Sequence, residues 1–170
     1  MKKKSDTLRP GVVPEGITLG MALVDAVPVA FFCAGAVLLG VRTPSALFRL
    51  GAVLCAAAGA GKVLWKLLVA VRRRSVWVLN RQLRVLMPAG FVCMALGLVL
   101  ARGRIDFAAV WRAALALPQV LLFALGAAGM VVMAVLGATQ DPADPAANWK
   151  EQGVNSLAQA AIFLGILLCR

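Results

Sequence analysis

Apolar residues along this chain neither alternate nor form short stripes; they run on in five long blocks, at about 17–40, 47–71, 85–101, 118–138 and 154–169, with basic and polar residues gathered between them. Blocks of this kind predict helices that are apolar all round, and at about 1.5 Å per residue most of them cross a hydrocarbon layer of about 30 Å. The third and fifth are shorter and need their flanking turns to do so. The predicted fold is therefore all-α: a polytopic integral membrane protein with about five transmembrane helices in one compact bundle, residues 17–170, behind a basic cytoplasmic tail at 1–16. A cleaved signal peptide fits less well, because the charged region is long, the first apolar run exceeds a usual signal core and Asp25 interrupts it.

Two shorter elements refine this layout. Asp144 and Pro145 read as the cap and first residue of a helix that starts in the last loop and runs through Trp149 into the fifth block. Residues 105–115 carry Asp106, Trp111 and Arg112 among Phe107, Val110 and Leu115, a pattern suited to an interfacial turn or lead-in helix.

Composition agrees with a membrane class. Apolar residues make up 62% of the chain and the mean hydropathy is +0.89, well above what a soluble core of this size needs. Lysine and arginine outnumber aspartate and glutamate by 18 to 7, but most of the cations flank the apolar blocks as topology determinants and lipid-headgroup partners, so nucleic-acid binding is not expected. Cys33, Cys55, Cys93 and Cys169 are dispersed singly and the chain has no histidine, which argues against metal, haem and thioredoxin-like sites; no cofactor is expected.

The basic residues also predict an orientation. Arg72, Arg73, Arg74, Arg81 and Arg84 crowd the connection between the second and third blocks, which places that loop in the cytoplasm. The tail and the loop with Lys150 then lie on the same side, ten cations in all, against six on the other: Arg42, Arg49, Arg102, Arg104, Arg112 and Arg170. The expectation is N-terminus in, C-terminus out, in the cell (plasma) membrane.

Against this background three charges stand out, because an ionised group inside a bilayer costs several kcal/mol unless it is paired. Asp25 lies within the first block; Lys62 and Lys66 lie within the second. Counting from the cytoplasmic side, Asp25 and Lys62 reach similar depth on adjacent antiparallel helices, so they are the expected pair. Lys66, one turn nearer the cytoplasm, is expected to snorkel or to meet Glu15 at the mouth of the first helix. Pro28, three residues after Asp25, frees the carbonyl of Val24 beside the acid. In the fifth block Gln152, Asn155 and Gln159 share one helical face, so Asn155 and Gln159 are expected to line the same cytoplasm-facing polar site as Asp25, Lys62, Lys66 and Glu15.

The run of small residues at 56–61 before Lys62 superficially resembles a phosphate-binding loop, but Ala56 stands where that loop needs glycine and Val63 where it needs Ser or Thr. Its expected role is close helix approach by the first or fifth helix; Gly16 with Gly20 and Gly126 with Gly129 read the same way. Trp65, Trp77, Trp111 and Trp149 read as interfacial anchors, with Trp149 alternatively a lid over the polar site.

These residues are compatible with three classes of function. The leading one is a transporter or channel component in which Asp25 binds a proton or cation and Lys62 serves as its counter-charge, with the lipid bilayer and a second copy or a partner membrane subunit as associates. The alternative is a non-catalytic membrane subunit, or a receptor for an amphiphilic ligand, in which the charges specify packing. A lipid-modifying enzyme ranks third, because a lone carboxylate and lysines without histidine, tyrosine or clustered acids offer little catalytic machinery.

Overall fold

The computed structural model describes residues 13, 17–140 and 145–169. Among these, the regular structure is entirely helical: α1 (Leu19–Arg42), α2 (Ala46–Arg72), α3 (Trp77–Arg81), α4 (Leu83–Leu100), a single 3-10 turn (Arg102–Arg104), α5 (Phe107–Leu115), α6 (Gln119–Thr139) and α7 (Pro145–Leu168). Gln82 keeps right-handed helical dihedrals, so α3 and α4 join into one rod, Trp77–Leu100. The third span thus begins well before the expected position near residue 85, within the arginine-rich stretch.

Four helices are both long and apolar enough to cross a membrane: α1, α2, the α3–α4 rod and α6. The fifth predicted block belongs to α7, whose 24 residues span about 36 Å. It has the length, but its first half carries Asn148, Lys150, Glu151, Gln152, Asn155, Ser156 and Gln159, and only its second half is uniformly apolar. Pro145 opens α7 as expected; Asp144, the expected cap, lies outside the described residues, as do Glu15 and Gly16. The lead-in segment is α5, started by Asp106, whose carboxylate accepts from the Ala109 N–H at 3.0 Å.

Local chemistry fixes the other helix starts. The Thr18 hydroxyl accepts from the Met21 N–H at 3.3 Å, and the Ser45 hydroxyl from the Phe48 N–H at 3.2 Å, each satisfying a donor that the first helical turn leaves over. At the far end of α2, Arg73 adopts a left-handed conformation with φ 48° and returns its N–H to the Leu68 and Val69 carbonyls. That turn redirects the chain into α3.

The helices pack side by side in the order α4, α2, α1, α7, α6. Chain order does not dictate this order of neighbours. The consecutive α4 and α6 occupy opposite edges, linked by α5, while α7 returns to sit between α1 and α6. Neighbours α4/α2, α2/α1 and α7/α6 run antiparallel, whereas α1 and α7 run parallel. Gly20 meets Trp149 at one end of that parallel pair, and Arg42 reaches the Ile166 and Cys169 carbonyls at the other.

Glycines set the closest approaches. On the α2/α4 seam, a side chain at Gly51 would overlap the Gly90 carbonyl and the Met94 backbone, and one at Gly90 would meet Cys55. On the α6/α7 seam, Gly126 admits Ile162 and Gly129 admits Ala158, the role expected of that pair. The small run in α2 serves two neighbours: Gly59 receives Val29 of α1, as expected, and Gly61 receives the carboxamide of Gln82 from the third span rather than anything from α7.

Candidate functional site

α1 lies in the middle of this order of neighbours, and Asp25 sits a turn and a half above its start, 8% exposed. Its carboxylate Oδ2 is 3.0 Å from Lys66 Nζ, with both side chains only 12–13% exposed. This corrects the expected pairing with Lys62. The contacts Val29 with Gly59 and Gly40 with Arg49 set Asp25 level with α2 between the two lysines, so depth alone does not choose. The direction of the side chains does. Each Cβ on a helix tilts toward that helix's N-terminus, so in an antiparallel pair Asp25 leans toward Lys66 and Lys66 leans back toward Asp25, while Lys62 leans away.

Lys62 takes another partner. Its ammonium donates to Asn80 Oδ1 at 3.0 Å and lies 5.3 Å from the centre of the Trp65 ring. Trp65 is itself buried, its indole N–H donating to Ser75 Oγ at 3.2 Å, so it is a packed side chain of the protein interior and not a lipid-facing anchor. Gln82, two residues beyond Asn80, reaches the Ala57 and Ala58 carbonyls at 3.5 and 3.4 Å. Asn80 and Gln82 therefore complete this region, although the sequence alone assigned them to a loop. The signal was present: two amides spaced by two residues, just ahead of an apolar block facing a run of small residues.

On the other side of α1, the parallel contacts Gly20 with Trp149 and Phe31 with Phe163 place Asp25 at the height of Gln152 to Ser156 on α7. Gln152 is 8% exposed, and among the described residues its Oε1 and the Ser156 hydroxyl are buried without a hydrogen-bond partner. Buried polar atoms are rarely left so; Gln119 Oε1 and Gln140 Oε1 on α6 and at its end share this condition. Asn155 lies on the same turn, half-buried. Gln159 is directed to α6 instead, its amide donating to Met130 Sδ at 3.7 Å. The polar region thus centres on Asp25, Lys66, Gln152 and Ser156, with Lys62 and Asn80 one layer aside and Gln159 turned away. Trp149 lies against Gly20 at the end of this region, 47% exposed.

The Arg42 end of the helices is chemically different. An apolar cleft of about 490 Å³ opens between the edges, lined by Leu39, Phe48, Leu98, Phe107, Val110 and Phe123, with Arg42 at its rim. Among the described residues no group of His, Cys, Asp and Glu has the arrangement to hold a metal ion. No family model, curated protein or solved structure matches the chain.

Proposed function

We propose that this chain is a five-span protein of the cell membrane, N-terminus in the cytoplasm and C-terminus outside, and that it serves as a transporter or channel component working through the Asp25–Lys66 pair. The observation that carries this reading is the pairing of a buried ion pair with buried, unpartnered oxygens on α7 at the same height. A charge pair that only fastens helices needs no such neighbours. A site that takes up a proton or small cation does, because the ion exchanges partners as it moves.

In the proposed cycle Asp25 is the binding group. Protonation or cation uptake there weakens its hold on Lys66, and the carbonyl of Val24, deprived of its helical partner by Pro28, stands beside it as a further acceptor. Gln152 Oε1 and Ser156 Oγ supply the next ligands across the α1/α7 seam. The N-in orientation rests on the sequence count of ten cations in the tail and in the loops assigned to its side against six on the other, and with it the site faces the cytoplasm. Counting α7 as the fifth span rests on its length and on its position between α1 and α6. The route is completed by a second copy or by a partner subunit.

The test is flux in proteoliposomes under an imposed pH or cation gradient. Wild type is expected to conduct and Asp25→Asn to lose most of that flux while still inserting. Absence of flux in wild type would favour the non-catalytic subunit, with Asp25–Lys66 as an architectural clasp.

A further inference from the structure

One cluster of charges is not used by the proposed transport site. At the start of the α3–α4 rod a small pocket of about 200 Å³ is lined by Trp77, Asn80, Arg81 and Arg84. Behind it lies Lys62, whose ammonium is held by the neutral Asn80 oxygen at 3.0 Å. Among the described residues no carboxylate lies within ion-pair distance of Lys62, Arg81 or Arg84. Two cations, Arg81 and Arg84, therefore line one pocket and a third, Lys62, stands behind its Asn80, with no paired carboxylate among the described residues; such crowding of like charge costs free energy until an anion enters.

The pocket's hydrogen-bonding character has the same sign. Lysine only donates, so the Asn80 oxygen must face Lys62, which leaves the amide nitrogen, a donor, for the pocket. The Arg81 guanidinium stacks 4.6 Å from the centre of the Trp77 ring; stacking occupies its face and leaves its in-plane N–H groups to bind an oxyanion. Arg84 follows one turn later on the same side of the rod. Size narrows the ligand: pockets for drug-sized molecules run to about 300–1,000 Å³, and this one suits a phosphate-sized group.

We propose that the pocket lined by Trp77, Asn80, Arg81 and Arg84, with Lys62 behind Asn80, binds the phosphate of an anionic phospholipid headgroup. A lipid is favoured over free phosphate by what surrounds the pocket. Val78 and Val85, 65% and 66% exposed, flank it on the rod and offer an apolar surface on which the attached acyl chains lie. Basic pockets at the ends of membrane helices are a recurrent solution for such headgroups.

The experiment is native mass spectrometry of the full chain extracted from bilayers of equal phosphatidylglycerol and phosphatidylcholine, with thermal stability measured alongside. Wild type is expected to retain phosphatidylglycerol with roughly a tenfold preference, and Arg81→Gln with Arg84→Gln to lose it. Asn80→Asp provides a second line that does not depend on removing arginines: an internal carboxylate beside Lys62 supplies the missing counter-charge. It is expected to abolish the lipid preference and raise stability in pure phosphatidylcholine. Equal retention of both lipids by wild type, or an unchanged preference in Asn80→Asp and in the double arginine variant, would overturn the assignment. Inorganic phosphate stabilising the protein in pure phosphatidylcholine as fully as phosphatidylglycerol does would overturn the lipid and leave a free-anion site.

Discussion

Asp25 of α1 pairs with Lys66 of α2 at 3.0 Å, and Lys62, one turn away on the same helix, does not share the bond. The two lysines are chemically identical and nearly equidistant in height, so the difference is a test of side-chain direction. In a double-mutant cycle on thermal stability, Asp25→Leu is expected to couple to Lys66→Leu by about 1–3 kcal/mol and to Lys62→Leu by less than about 0.5 kcal/mol. Equal coupling to both would mean that the carboxylate moves between them.

The glycines of α2 offer a graded series. Gly61→Ala collides with the Gln82 carboxamide, a flexible group that also bonds the Ala57 and Ala58 carbonyls, and is expected to destabilise by about 1 kcal/mol, with recovery in Gly61→Ala combined with Gln82→Ala. Gly51→Ala meets the backbone of α4, which cannot step aside, and should cost more, about 2–3 kcal/mol, with no second-site rescue from a side chain. Gly137 on α6 has open space around it, and Gly137→Ala should be neutral or stabilising by up to about 1 kcal/mol. The order of thermal midpoints checks all three.

The end of α7 is held from both sides. Arg42 donates to the Ile166 and Cys169 carbonyls at 2.8 and 2.6 Å, and Gln119 donates to the Leu168 carbonyl at 3.0 Å, meeting acceptors that the last turn leaves unbonded. Arg42→Met is expected to fray that turn, seen as faster amide hydrogen exchange over residues 165–169 with little change at the Trp149 end. Arg42→Lys should restore part of the protection, since an ammonium also serves helix C-terminal carbonyls.

Much of this fold was legible because long apolar runs leave a helix few alternatives. The bounds of α1, α2 and α6 fall within two residues of the hydropathy blocks, and α5 was visible from its mixed Trp, Arg and Asp composition. What sequence did not reveal is lateral order. Nothing in the residues of α7 announces that it slots between α1 and α6, because small and apolar faces fit many neighbours. The site was legible in kind and not in pairing: Asp25 and two lysines were conspicuous, but the choice of Lys66 depends on the tilt of side chains in an antiparallel pair. Asn80 and Gln82 were obscured by the arginines around them, which suggest a loop where the helix has already begun.

Orientation has a direct chemical test. With Cys33, Cys55, Cys93 and Cys169 replaced by alanine or serine, Gly103→Cys, which has no neighbour within 4 Å, should react in intact cells with a membrane-impermeant maleimide. Val76→Cys, in the basic connection between α2 and α3, should react only after permeabilisation. The reverse pattern would invert the proposed topology and put the polar site outside.

The central claim is that Asp25 and Lys66 carry ion movement rather than merely joining two helices, and the measurement that addresses it most directly is stability and flux on the same proteins: wild type, Asp25→Leu, Lys66→Leu and the double variant. Removing one charge strands the other, so each single variant should lose about 2 kcal/mol, and the double variant about 1–2 kcal/mol rather than the sum of the two. The account predicts that the stable double variant conducts nothing while wild type conducts. A double variant that is stable and conducts as wild type does would contradict it, and would leave the pair as a clasp.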